Sequence, residues 1–288
     1  MTRTFTAAFP IRFYECDPYG HVNNANYLRY ATQAALEACA SGGYDPTSGP
    51  TRWMLQEVGI EYIRPVAYGE TLHVKTTMSD WRNDDVSLEQ ELTLASSGKL
   101  AAKVFSDWDF IGVDTLESVP TPNEIIKAFF PQDMPPESPA REPYPEFPPA
   151  PPGAFTARRR VRWHHLNPLG YMDSGHILSL LEEVVIGAAE YAGWPMKRAE
   201  EHGFAYFAKQ HHLDFGQQAV LDDELTITTF IGDVQETQAT RHYLIELADG
   251  ETVARAQTVW VWVDPATGRP APIPDAWLSD FAEQIVEE

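Results

Sequence analysis

The chain has 288 residues, 43% hydrophobic and 22% charged, which excludes collagen-like, coiled-coil and wholly disordered chains and leaves room for two ordinary domains. Its 42 acidic against 21 basic side chains give a net charge of −21, which argues against a nucleic-acid or membrane-surface partner. Cys16 and Cys39 are too few for a disulfide framework or a four-thiolate zinc site. With no signal-like or membrane-spanning apolar run, a cytoplasmic protein is expected.

In chain order, Phe5-Thr6-Ala7 opens a strand that is expected to close at Asp17, ahead of a turn at Pro18 and Gly20. Apolar residues then fall at 27, 28, 31, 34, 35 and 38, the spacing of one face of a long amphipathic helix. Asn23 and Asn24 stand where a helix N-cap belongs. Period-two stripes follow: Leu72, Val74, Thr76 and Met78; Val86, Leu88, Leu92 and Leu94; Leu100, Ala102 and Val104. Asn83-Asp84 and Ser97-Gly98 separate them as hairpin turns.

The stretch 131–153 holds ten prolines in 23 residues and reads as a linker, because proline cannot supply ladder donors. Beyond it the first half repeats at an offset of 150. Phe155-Thr156-Ala157, Arg162, Pro168, Gly170 and Val263-Asp264 answer Phe5-Thr6-Ala7, Arg12, Pro18, Gly20 and Val113-Asp114. The helix stripe recurs as Ile177, Leu178, Leu181, Val184, Val185 and Ala188. Strand stripes follow at Leu225 and Ile227, at Tyr243, Ile245 and Leu247, and at Val259, Val261 and Val263, with a turn at Asp249-Gly250. The fold class is therefore α+β, with domains over residues 1–130 and 154–288, each a strand, a long helix and several antiparallel strands curled about it.

Candidate chemistry centres on Asp17, which closes the opening strand before the turn and so lies at the mouth between strand and helix, where a carboxylate can attack a carbonyl or deprotonate water beside the unbonded amides of the helix start. His21 is a candidate assistant. Arg158, Arg160 and Arg162 are expected to share one face of a strand, a basic patch suited to phosphates, or equally to the many surface carboxylates. His164-His165 and His211-His212 would point to opposite strand faces, so no metal is expected. Trp260 and Trp262 read as sheet packing. Serine-hydrolase, dinucleotide and phosphate-loop motifs are absent, and no cofactor is expected.

The run Cys16-Asp17-Pro18-Tyr19-Gly20-His21-Val22-Asn23-Asn24-Ala25-Asn26-Tyr27 resembles the signature of the 4-hydroxybenzoyl-CoA thioesterase group, and its His-Val-Asn-Asn portion is also similar to the acyl-ACP thioesterases. Ile60 to Pro65, and Val261 to Asp264 with Gly268 to Pro274, resemble further strands of those families. Tyr19 and Pro65 replace an Asn and a Glu of the acyl-ACP enzymes, so the first group fits better. The resemblance implies two tandem hotdog domains packed as a pseudo-dimer, with Asp17 catalytic and helix amides near Asn24 as oxyanion donors. Tyr19, Gly20, Asn23, Asn24 and Tyr27 of that run, with Arg160 of the basic patch, are the candidate substrate-binding residues. In the second half Asn167 replaces the carboxylate, and the run through Gly175 to Glu182 resembles the phenylacetyl-CoA thioesterase branch, which implies Glu182 as a carboxylate there. The implied substrate is an acyl-CoA or acyl-carrier protein, with a homodimer of double hotdogs left open. A hotdog hydratase or dehydratase and a non-catalytic acyl-CoA binder are the alternatives.

Overall fold

The computed structural model describes residues 3–45, 48–115, 117–132, 136–139 and 144–286. The chain divides into two units, Met1–Tyr144 and Pro145–Glu288, and the break falls inside the proline-rich stretch. Of that stretch, residues 133–135 and 140–143 lie outside the described residues. The described remainder is tied down rather than loose. Ser138 N–H donates to the Trp81 carbonyl at 3.0 Å, and Phe147 sets its ring edge-on to Phe230 at 5.8 Å.

In the first unit, β1 (Phe5–Pro10) leads to α1 (Asn24–Ala40), then β2 (Thr51–Tyr62), β3 (Thr71–Trp81), β4 (Asp85–Leu94), β5 (Leu100–Gly112) and α2 (Asn123–Phe129). Its strands run in the order β1-β3-β4-β5-β2, with antiparallel pairings throughout. The second unit repeats the plan as β6 (Phe155–Arg160), α3 (Ser174–Tyr191), α4 (Met196–Glu201), β7 (Ala205–Phe215), β8 (Glu224–Gly232), β9 (Gln238–Glu246), β10 (Thr252–Asp264), β11 (Arg269–Pro270) and α5 (Asp275–Asp280). Its order is β6-β8-β9-β10-β7, with β11 added on β10. The sequence repeat is thus a repeat of topology.

All six stripe positions of each long helix are buried. On α1 four of the six are alanines, and the short side chains let the backbone come within reach of the sheet. Gln90 of β4 donates through Nε2 to the Ala31 carbonyl at 2.8 Å. The β3, β4 and β5 stripes face this helix as buried rows, with Leu100 only half-buried at the start of its strand. The hairpin turns lie where expected, and Gly98 and Gly250 take the left-handed conformations that a side chain would resist.

Two strand expectations change. The opening strand does not reach Asp17: β1 stops at Pro10, and a short 3-10 turn (Phe13–Glu15) intervenes, closed by the Arg12 N–H donating to Glu15 Oε2 at 2.7 Å. In β10 the inward face is not Val259, Val261 and Val263, which are half-buried, but Ala254, Ala256, Thr258 and Trp262. Both parities of that strand are apolar, so alternation could not choose a face. Leu247 likewise falls one residue beyond β9.

Ala35 is fully buried under the sheet, so Ala35→Leu must overfill a closed space. The expected cost is about 1–3 kcal/mol, read as a lower urea midpoint with an unchanged slope.

Candidate active site

The site is built on a turn and a cap. Asp17 Oδ1 accepts the Tyr19 N–H at 2.9 Å and the His21 N–H at 3.2 Å, and Asp17 exchanges backbone bonds with His21 and Gly20. Gly20 adopts φ +80°, which the tight turn needs. The chain then bridges Cys16 to Val22 and His21 to Ala67, which fixes the loop against its own unit. Asn23 caps α1 by accepting the Ala25 N–H at 3.0 Å, and its carbonyl takes the Asn26 N–H at 2.9 Å. The Asn24 amide, at the first helical position, has no acceptor among the described residues. It is the unbonded donor that a helix start leaves over, at the positive end of the helix dipole.

Three further groups hold this junction and were not singled out from the sequence. Glu15 is buried and paired with Arg12 at 2.9 Å, and its carbonyl accepts both the Asn23 N–H and Asn26 Nδ2. Tyr62 donates its hydroxyl to the Asn24 carbonyl at 3.2 Å. The Arg12 to Glu15 spacing was the available signal for the first pair.

The structure therefore brings Asp17, Tyr19, Gly20, His21, Asn23 and Asn24 into one turn-and-cap unit. Tyr19 is exposed, and His21 is half-buried. Tyr27 is only 2% exposed, its ring edge-on to Tyr62 at 5.2 Å, so it supports the helix start from below. Burial also raises its phenol well above the usual range. Glu182 sits half-buried on α3 of the second unit, and its charge reaches Tyr243. Arg160 is engaged at 2.9 Å with Asp222. Arg162 does not share a face with Arg158 and Arg160, since β6 ends at Arg160.

The second unit repeats the turn almost bond for bond. Asn167 Oδ1 accepts the Leu169 N–H at 2.9 Å and the Tyr171 N–H at 3.3 Å, and Asp173 caps α3 by accepting the His176 N–H at 3.2 Å. An amide oxygen thus does locally what a carboxylate oxygen does in the first unit. The negative charge of Asp17 is surplus to the turn.

The sulfur and imidazole groups have other roles. Burial, then the Asp17 and Glu15 charges, raise the Cys16 thiol and disfavour its thiolate. His164, His165 and His176 cluster with ring centroids 4.3 to 6.1 Å apart. Even so, no group of three His, Cys, Asp or Glu among the described residues could hold a metal ion. His211 is buried in the second unit, with Nδ1 2.8 Å from Thr258 Oγ1.

A single sheet wrapped about one long helix, twice in one chain, defines a tandem hotdog protein of the thioesterase type. The thioesterase-like superfamily matches residues 11–129 and 161–284, and the chain belongs to that family. It is 23% identical over 117 residues to the long-chain acyl-CoA thioesterase FadM of Escherichia coli (strain K12), covering 40% of this chain and 89% of that protein. Its fold is similar to a Lactobacillus plantarum protein assigned as an oleoyl thioesterase, with TM-score 0.77, 17% identity and coverage of 94% and 98% of the two chains. The 12:0-ACP thioesterase of Umbellularia californica gives TM-score 0.71 at 16% identity, over 90% and 94%. Among the described residues no helix is long and apolar enough to cross a membrane.

Two stability predictions follow from this geometry. Asp17→Asn keeps the oxygen that Asn167 uses, so thermal unfolding should stay within about 0.5 kcal/mol of the parent, whereas Asp17→Ala should cost about 1 kcal/mol by orphaning two amides. Burial pushes His211 down to about 3, below its unfolded value near 6.5. The unfolded chain therefore binds a proton below pH 6.5 that the folded chain refuses. Stability should fall as pH drops from 6.5 towards 3, by up to about 1.4 kcal/mol per unit, and His211→Gln should flatten that slope in urea titrations at stepped pH.

Proposed function

We propose that the protein is an acyl-CoA thioesterase in which Asp17 attacks the thioester carbonyl or deprotonates the attacking water. The observation that carries this reading is the pair of matched turns: Asn167 gives the same turn without a charge, so the carboxylate at Asp17 is free for chemistry. The carbonyl oxygen would gain negative charge against the Asn24 amide, which has no described acceptor and lies at a helix N-terminus. Attack would expel the CoA thiolate. If Asp17 is the nucleophile, water then cleaves the acyl-aspartyl anhydride; if it is the base, the acid forms directly.

His21 follows directly on this turn and serves as the assisting group, with Tyr19, Gly20 and Asn23 lining the approach to the carbonyl. Arg160 is proposed to contact the phosphates of the CoA arm, exchanging its Asp222 partner for them. Glu182 is proposed as the carboxylate of a separate centre in the second unit. The family membership and the acyl-CoA substrate in the name of FadM favour a CoA thioester, while the Umbellularia protein's name points to carrier-protein substrates as the alternative.

Incubation with a panel of acyl-CoAs and a thiol reagent tests the reading. Free CoA should appear, and Asp17→Asn should lower kcat by at least about 100-fold in a protein of unchanged fold. Turnover left in Asp17→Asn and removed by Glu182→Gln would belong to the second unit. Full activity in Asp17→Asn would remove Asp17 from the mechanism. Hydration of an enoyl-CoA without thiol release would make the protein a hydratase, and binding with neither reaction would make it an acyl-CoA binder.

A further inference from the structure

The two units close their first turn with different chemistry. In the first unit the Arg12 N–H, just after β1, donates to Glu15 Oε2 at 2.7 Å. At the offset of 150 the acceptor is an imidazole: the Arg162 N–H donates to His165 Nδ1 at 3.1 Å across the equivalent 3-10 turn (Trp163–His165). Each turn also holds the helix cap. The Glu15 carbonyl accepts the Asn23 N–H at 2.9 Å, and the His165 carbonyl accepts the Asp173 N–H at 2.8 Å. Asn23 and Asp173 are the residues that cap α1 and α3.

A carboxyl group keeps an oxygen lone pair for such a bond whether it is ionised or neutral. An imidazole offers one acceptor nitrogen, and protonation replaces that lone pair with an N–H. On His165 the added proton would face the Arg162 N–H, donor against donor. The surroundings oppose the charge as well. His164 on the same turn and His176 in the first turn of α3 stand with ring centroids 4.3 and 5.1 Å from that of His165, and the Arg162 guanidinium adds to their field. Of the acidic groups, Glu183 of α3 is exposed and shared with Arg159 at 3.7 Å, and Asp173 accepts the His176 N–H as the α3 cap. Burial first, then His164 and His176, lower His165 from its ordinary value, with Glu183 opposing. In the first unit Tyr14, Glu15 and Asn26 occupy these three positions, so none of the imidazoles is repeated there.

We propose that the His165 turn is an acid-released latch on the start of α3: protonation of His165 breaks its bond with the Arg162 amide and loosens residues 161–176 of the second unit, while the Glu15 turn of the first unit stays closed at the same pH. The latched turn refuses a proton that the released turn takes up below about pH 6.5, so the latch is complete above that value and weakens as pH falls. His211 also resists protonation, but it is buried within β7, and its charging would weaken the second unit as a whole rather than this turn. Nothing in the latch depends on the chemistry proposed for Asp17.

Hydrogen–deuterium exchange of the full-length protein, stepped from about pH 7.5 to about pH 5 and corrected for intrinsic exchange rates, tests the latch. Protection across residues 161–176 should fall at least about tenfold on acidification, while residues 11–26 and strands β8 and β9 change by less than about twofold. His165→Glu supplies the acceptor used in the first unit and should abolish the fall, leaving the stretch protected throughout the range. His165→Ala removes the acceptor and should leave the stretch weakly protected at every pH. A fall that persists in either variant assigns it to another group and overturns the proposal, as does unchanged protection of 161–176 in the parent. Equal losses in β8 and β9 would mean unfolding of the whole unit, and equal losses in 11–26 would remove the difference between the two turns; either result overturns it.

Discussion

Each unit depends on burying one long helix against one sheet, and that requires the helix to begin at a fixed place. The start is set by a short polar junction: an Asx turn, a cap residue and a few backbone bonds that satisfy amides the helix cannot satisfy itself. Because α1 and α3 are buried on one face along their whole length, an error of one residue at the start would rotate every apolar side chain by about 100°. The turn keeps Pro18 and Gly20 of the first half as Pro168 and Gly170 of the second.

Beyond the junction the units have diverged in how they fill their cores. The inner face of α1 is rich in alanine, and a buried glutamine reaches its backbone. The inner face of α3 is built from leucine, isoleucine and valine, and its far end meets a cluster of tryptophans. Trp262 lies edge-on to Trp277 at 4.9 Å, and Trp277 stacks on Phe281 at 4.0 Å. The two copies share a backbone plan but not an interior.

Much of the fold was legible because its signals are periodic. Six helix positions recurring at a constant offset, and stripes such as Leu72 to Met78, report burial directly. The short helices α2, α4 and α5 have too few residues for a period to emerge. The valines of β10 misled because tryptophans of similar hydrophobicity fill the other parity, and a register shift at Val259 and Trp260 interrupts the strand. The buried position of Arg241 in β9 was legible in principle, since it shares the parity of Tyr243 and Ile245; the usual surface habit of arginine conceals it. At the candidate site, the motif located the turn and the cap, but Glu15 and Tyr62 act through contacts that spacing alone does not encode.

The matching turns at Asp17 and Asn167 have one more consequence. Since either residue closes the loop, a duplicated copy can exchange charge for neutrality by a single-base-scale change without passing through a misfolded ancestor. The matched turns offer an experimental handle: under the proposed role of Asp17, a chain neutralised at that one position should hold its intact thioester long enough to be crystallised with it.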